Sequence, residues 1–160
     1  MKKVSLFVDV QNIYYTTRAV YGCSFDYNRF WQQATAGREV VQACAYAIAR
    51  DDDKQRQFQN ILRAIGFEVK LKPYIQRSDG SAKGDWDVGI TLDVIEAAAT
   101  TDIIVLASGD GDFDLLLRKA NARYGVETEV YGVPGLTANT LMQAATRYIP
   151  VADRLLLRSK

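Results

Sequence analysis

Short apolar runs recur along this chain, and stretches with helical spacing of apolar residues separate them. That alternation constrains the fold most. Strands apolar nearly throughout must be covered on both faces, and parallel neighbours need a crossover between them. Val4–Val8, Glu39–Ala49, Phe67–Leu71, Asp102–Ala107 and Val126–Tyr131 read as five strands, with Tyr148–Val151 as a short last one. Helices are predicted over Asn12–Val20, Tyr27–Thr35, Lys54–Ile65, Asp85–Ala99, Phe113–Tyr124 and Ala138–Ala145. Asp26 is the expected N-cap of the second helix, and Gly37 and Gly66 are expected stops. In the fourth helix Val88, Leu92, Ile95 and Ala99 fall on one face, while the polar stretch Gln76–Lys83 reads as a loop. The pattern predicts an α/β fold, doubly wound, with a mainly parallel central sheet and helices on both faces. No repeat, low-complexity segment or linker divides residues 1–160, so one domain is expected.

Composition excludes more than it proposes. Twenty Lys and Arg stand against 19 Asp and Glu, so a nucleic-acid surface would have to come from local clustering rather than net charge. The chain has no histidine. A Ser-His-Asp triad, a Cys-His pair and histidine-ligated zinc are therefore ruled out, leaving carboxylates, Lys, Tyr or Cys for chemistry. Cys23 and Cys44 make neither a disulfide framework nor a CxxC motif. The apolar start is interrupted by Asp9, Gln11 and Asn12, which makes a poor signal peptide, and no run is long enough to cross a bilayer. A cytoplasmic protein without membrane contact is expected.

The acids gather at particular places. Asp9 closes the first strand, and Asp110 and Asp112 follow the fourth. In open α/β sheets the ligand crevice lies outside the carboxyl ends of the strands, where strand order reverses. If the first and fourth strands are neighbours, these acids meet there. Asp87 and Asp93 lie six residues apart on the fourth helix, roughly 120° apart around its axis. Clustered carboxylates repel, and burying them uncompensated is costly. A hard divalent ion relieves both, and Mg²⁺ or Mn²⁺ prefers oxygen ligands and can activate water against a phosphodiester. Each acid also has a plainer use. Asp9 can cap a helix, Asp110 and Asp112 can form Asx turns, Asp87 can complement a helix dipole, and Asp93 can face solvent. Asp85 reads more as a cap than a ligand, and Asp51–Asp53 as a cap and solvated turn.

The segments FVDVQNIYY at 7–15, KGDWDVGITLD at 83–93, SGDGDFDLLL at 108–117, and YGVPG followed by LMQAATRYI resemble the NYN-domain, LabA-like proteins of the PIN-like nuclease superfamily. They span nearly the whole chain in the family's order. The resemblance implies a PIN-like fold and a Mg²⁺- or Mn²⁺-dependent ribonuclease site. It maps the first-strand acid to Asp9, its companion to Asn12, the helix acids to Asp87 and Asp93, and the loop acids to Asp110 and Asp112. Ser108 would bond locally or contact phosphate. Two departures stand out: KGDWD puts two residues between Gly84 and Asp87 where many relatives have one, and Thr146 stands where many carry an acid. If that acid supports the site, metal affinity is weaker here.

The expected roles follow. Asp9, Asp87 and Asp110 are primary metal ligands. Asp112 and Asp93 bind through water or hold a second ion, Asn12 positions a ligand, and Lys83 contacts substrate phosphate. Single-stranded RNA is the expected partner, with Tyr14, Tyr15, Tyr74 and Trp86 as stacking faces beside basic residues such as Arg18 and Arg77. A homo-oligomer or protein partner stays open. So does the rival reading of a regulatory module that keeps the fold and cuts nothing. An aspartyl-nucleophile phosphatase is disfavoured because Gln11 stands where its second acid belongs. A receiver domain would need an acidic pair after the first strand, where FVDVQN has one acid. A dinucleotide site lacks the third glycine after Gly109 and Gly111.

Overall fold

The computed structural model describes residues 1–50, 52–73, 75–76, 82–83 and 85–158. Six strands make the central sheet: β1 (Lys2–Asp9), β2 (Arg38–Ala49), β3 (Glu68–Pro73), β4 (Ile103–Ala107), β5 (Glu127–Gly132) and β6 (Arg147–Pro150). Their spatial order is β3-β2-β1-β4-β5-β6, and every neighbouring pair is parallel. The chain works outward from β1 to β3, then returns to place β4 on the other side of β1. The order therefore reverses between β1 and β4, where the carboxyl ends of two adjacent strands splay and leave a crevice.

Alternate residues of each strand feed two separate cores. Val4, Leu6 and Val8 of β1, with Val105 and Ala107 of β4, meet α1 (Val10–Tyr21), α2 (Tyr27–Thr35) and α3 (Asp53–Ile65) through Ile13, Phe30 and Leu62. Phe7, Tyr46, Ile104 and Leu106 face the other way. They pack on α4 (Asp87–Ala98), α5 (Asp114–Tyr124) and α6 (Asn139–Ala144) through Ile90, Val94, Leu117 and Leu141. This is the doubly wound arrangement that the apolar strands demanded.

Local signals set several boundaries. The Asp26 carboxylate accepts the Arg29 N–H at 3.0 Å, capping α2 where expected, and Gly37 follows its end with φ +70°. Asp52 caps α3 in the same way, accepting the Gln55 N–H at 2.7 Å.

Four expectations need revision. The face Val88–Leu92–Ile95–Ala99 is not the buried one: Val88 is 70% and Leu92 65% exposed, while Ile90, Val94, Ala97 and Ala98 face the sheet. The helix is apolar on nearly every side, so periodicity alone does not choose its inner face. Second, α4 starts at Asp87, leaving Asp85 and Trp86 ahead of it. Third, a 3-10 turn over Gly111–Phe113 precedes α5. Fourth, Ile75–Gln76 pairs antiparallel with Ala82–Lys83 where a loop was expected. A second small antiparallel pair, Ser24–Phe25 with Leu156–Leu157, is too short to register as sequence pattern.

Candidate metal centre

The crevice is built from the backbone outward. Val8 of β1 pairs with Ala107 of β4, so the residues just beyond, Asp9 and Ser108, emerge side by side. The buried Ser108 hydroxyl donates to Asp9 Oδ2 at 3.1 Å and accepts the Asp110 N–H at 3.2 Å. Asp9 also caps α1, accepting the Asn12 N–H at 3.4 Å. Asn12 Oδ1 in turn accepts the Gly109 N–H at 2.8 Å and ties the start of α1 to the turn after β4. Asp110 closes that turn, its Oδ1 accepting the Asp112 N–H at 2.9 Å. Gly109 is required here by space, because a Cβ would lie 2.4 Å from the Leu136 carbonyl oxygen. The carbonyl of Gly109 accepts the Ala138 N–H at 3.1 Å, so the loop after β5 closes over the turn.

One carboxylate oxygen from each of Asp87, Asp110 and Asp112 lies within 4.8 Å of the others. Asp112 is exposed, and Asp87 and Asp110 are half-buried. Asp9, expected as a primary ligand, is not one of these three; it is 9% exposed and held by Ser108 and the Asn12 N–H. Its pKa is pushed up to about 6, first by burial and also by the charges of Asp110 and Asp85, against the lowering hydrogen bonds from Ser108 and Asn12. Asp87 is pushed up to about 7 by burial first, then by Asp110, Asp85 and Asp9. Among the described residues no ion pair joins Asp9, Asp87, Asp110 or Asp112 to a cation. Converging carboxylates, two of the three half-buried, form the donor set a hard divalent cation takes. The residues present fit a hard divalent cation.

Other expected site residues sit differently. Asp93 Oδ2 accepts from Lys70 Nζ and from the Tyr46 hydroxyl, each at 2.7 Å. It is thus not grouped with the three converging acids. Although burial raises its pKa, the hydrogen bonds from Lys70 and Tyr46 and the Lys70 charge leave it below the usual carboxylate range. Of the two Ser108 hydroxyl bonds only the one from the Asp110 N–H is local; the other crosses to Asp9 on β1. The Lys83 side chain, Tyr74 and Arg77 lie outside the described residues. Thr146 exchanges two 3.0 Å hydrogen bonds with Thr128, near the amino ends of β5 and β6 and so at the sheet edge opposite the crevice. An acid at that position would not reach Asp9 or Asp110, so the weaker affinity anticipated from Thr146 has no structural basis. Asp85 does more than its sequence position suggested. It accepts the Asp87 N–H at 3.2 Å, and its charge is felt by both Asp9 and Asp87. Beside the acids lies an open hollow of about 180 Å³, lined by Asp87, Val88, Thr91, Leu92, Asp112 and Phe113.

The NYN domain family model matches residues 3–156. The chain belongs to the NYN domain family. This NYN chain is 29% identical over 159 residues to the Low amplitude and bright protein LabA of Synechococcus elongatus, across 94% of this chain and 84% of that protein. It is also similar to a crystal structure of a protein of unknown function from Vibrio parahaemolyticus. The two share 58% identity over 98% of this chain and 96% of the other, with a TM-score of 0.94. The two chains therefore share one fold. No described helix is long and apolar enough to cross a membrane.

Proposed function

We propose that this NYN domain hydrolyses phosphodiester bonds in RNA with Mg²⁺ or Mn²⁺ held by Asp9, Asp87, Asp110 and Asp112. The observation that carries the reading is the convergence of Asp87, Asp110 and Asp112 at the topological switch point, where buried Asp9 raises the pKa of Asp87 and no described cation joins them. RNA phosphates are anionic, and so is this crevice. An acidic pocket can receive them only if positive charge is brought in. A bound divalent ion supplies that charge, together with Lewis acidity toward water and the leaving oxygen.

The chain's own groups then do the positioning. Ser108 fixes Asp9 and the Asp110 backbone with one hydroxyl. Asn12 locks the turn that carries Asp110. On α1, Tyr14 and Tyr15 are about half exposed, and the Arg18 guanidinium lies 5.3 Å from the Tyr14 ring centre. Exposed rings beside a cation suit unpaired bases, which favours single-stranded RNA. Attack by water at phosphorus, with the P–O3′ bond breaking and the 3′-oxygen leaving as a hydroxyl, gives a 5′-phosphate product.

Mn²⁺-dependent cleavage of single-stranded RNA by wild type and Asp110→Asn tests the reading. Loss of about 100-fold or more in the variant is expected, by analogy with removal of one transition-state-stabilising group. Equal activity would remove Asp110 from the chemistry. The second reading, an NYN module that binds RNA or protein and cuts nothing, draws on the diversion of Asp93 to Lys70 and Tyr46. RNA binding without metal-dependent turnover in wild type would favour it.

A further inference from the structure

Asp85 and Trp86 stand between Gly84 and Asp87, and Trp86 does what neither its motif nor the acid cluster accounts for. Its indole Nε1–H donates to the Ala47 carbonyl at 2.9 Å, on β2 just past Tyr46, the last residue paired with β1. The Tyr46 ring lies 5.3 Å away, centre to centre. From β3, Lys72 Nζ sits 4.7 Å from the Trp86 ring centre and donates to the Asp85 carbonyl at 3.1 Å. Along α4, the ring covers Gly89 so closely that a Cβ there would lie 2.6 Å from a ring carbon. The indole is thus enclosed by two strands and by the helix it precedes. One residue on, Asp87 turns toward Asp110 and Asp112.

We propose that Trp86 is the positioning residue for Asp87. Wedged between β2, β3 and Gly89, it sets where α4 begins relative to the sheet and so holds the Asp87 carboxylate in register with the two loop acids. The helix is fixed a second time farther along, where Asp93 meets Lys70 and Tyr46. Two fixed points on one helix leave little freedom to slide or tilt, and the Trp86 point is the one next to a ligand. Groups that orient a ligand without touching the ion typically alter metal affinity about 10- to 100-fold when removed.

The proposal rests on reading the acid cluster as a divalent-ion site, so the test measures binding rather than turnover. Free Mn²⁺ is followed by electron paramagnetic resonance during titration of wild type, Trp86→Ala, Gly89→Ala, Asp110→Asn and Trp31→Phe. Trp31 packs on Gly66 and Phe67, against the core of the opposite sheet face, and serves as the control. Trp86→Ala is expected to weaken Mn²⁺ binding about 10-fold or more. Gly89→Ala acts from the other side: it favours the helix yet drives the ring off its seat, so it should keep its fold and weaken binding similarly. Trp31→Phe should bind as wild type, and its remaining Trp86 emission should respond to Mn²⁺. Wild-type affinity in folded Gly89→Ala or Trp86→Ala, with loss in Asp110→Asn, overturns the role of Trp86 alone. No saturable Mn²⁺ binding by wild type overturns the ion site and this proposal together.

Discussion

Asn12 accepts a backbone N–H from Gly109, nearly a hundred residues away in sequence, with its side-chain carbonyl. The family resemblance makes this residue a companion to Asp9; the structure shows what it holds. Replacing it with Ala leaves the Gly109 N–H without that partner, and an unmade hydrogen bond of this kind costs about 1–2 kcal/mol. Urea unfolding of Asn12→Ala should register that loss, and Mn²⁺ affinity should fall with it because the Asp110 turn loosens. Glu129 is a second long-range case. It is 3% exposed and takes both Arg38 guanidinium nitrogens at 2.8 Å, with Arg147 at 3.4 Å. Removing one partner of a buried pair strands the other charge, so Arg38→Met should destabilise by about 3 kcal/mol in the same assay, the remaining Arg147 limiting the loss. Nothing near Arg38 in sequence announces Glu129.

The helices divide into those whose ends and faces are written locally and one that is not. Asp26 before α2 and Asp52 before α3 are short polar caps one residue ahead of each helix, legible because capping is a contact between near neighbours. In α4 the apolar residues run almost all round, and only the sheet decides which are covered. Ile90→Ala should therefore cost about 2–5 kcal/mol, as buried truncations do. Leu92→Ala, two residues on and on the opposite side of the helix, should change stability by no more than about 0.5 kcal/mol. Thermal or chemical denaturation of the pair checks this directly. Equal costs would mean that Leu92 is covered in solution by something else.

At the scale of the whole molecule, the acid cluster couples stability to pH and metal. Asp9 and Asp87 have folded-state pKa values raised to about 6 and about 7 from an unfolded value of 3.8. Between those limits the native state holds more protons than the unfolded chain, so stability falls as pH rises from about 4 to about 7. The lowered pKa of Asp93 acts in the opposite direction, adding stability above the unfolded value and losing it in acid below about pH 4. In EDTA, Tm should be higher near pH 5 than near pH 7.5, and Asp9→Asn should flatten that difference. Mn²⁺ should raise Tm most at the higher pH, where the carboxylates are ionised and protons no longer compete for them. A metal-independent pH profile would contradict an ion held by these acids.

The sequence by itself determined the alternation of strands and helices, the caps of α2 and α3, and the candidate acids, because periodicity, capping and motif spacing are local properties. Strand order, the inner face of α4, the partners of Asp93 and the seat of Trp86 came only from the tertiary structure. Each depends on which distant segment arrives alongside. Lys70 and Asp93, or Trp86 and Ala47, become neighbours only when the parallel sheet brings β2 and β3 against a helix that follows them in the chain.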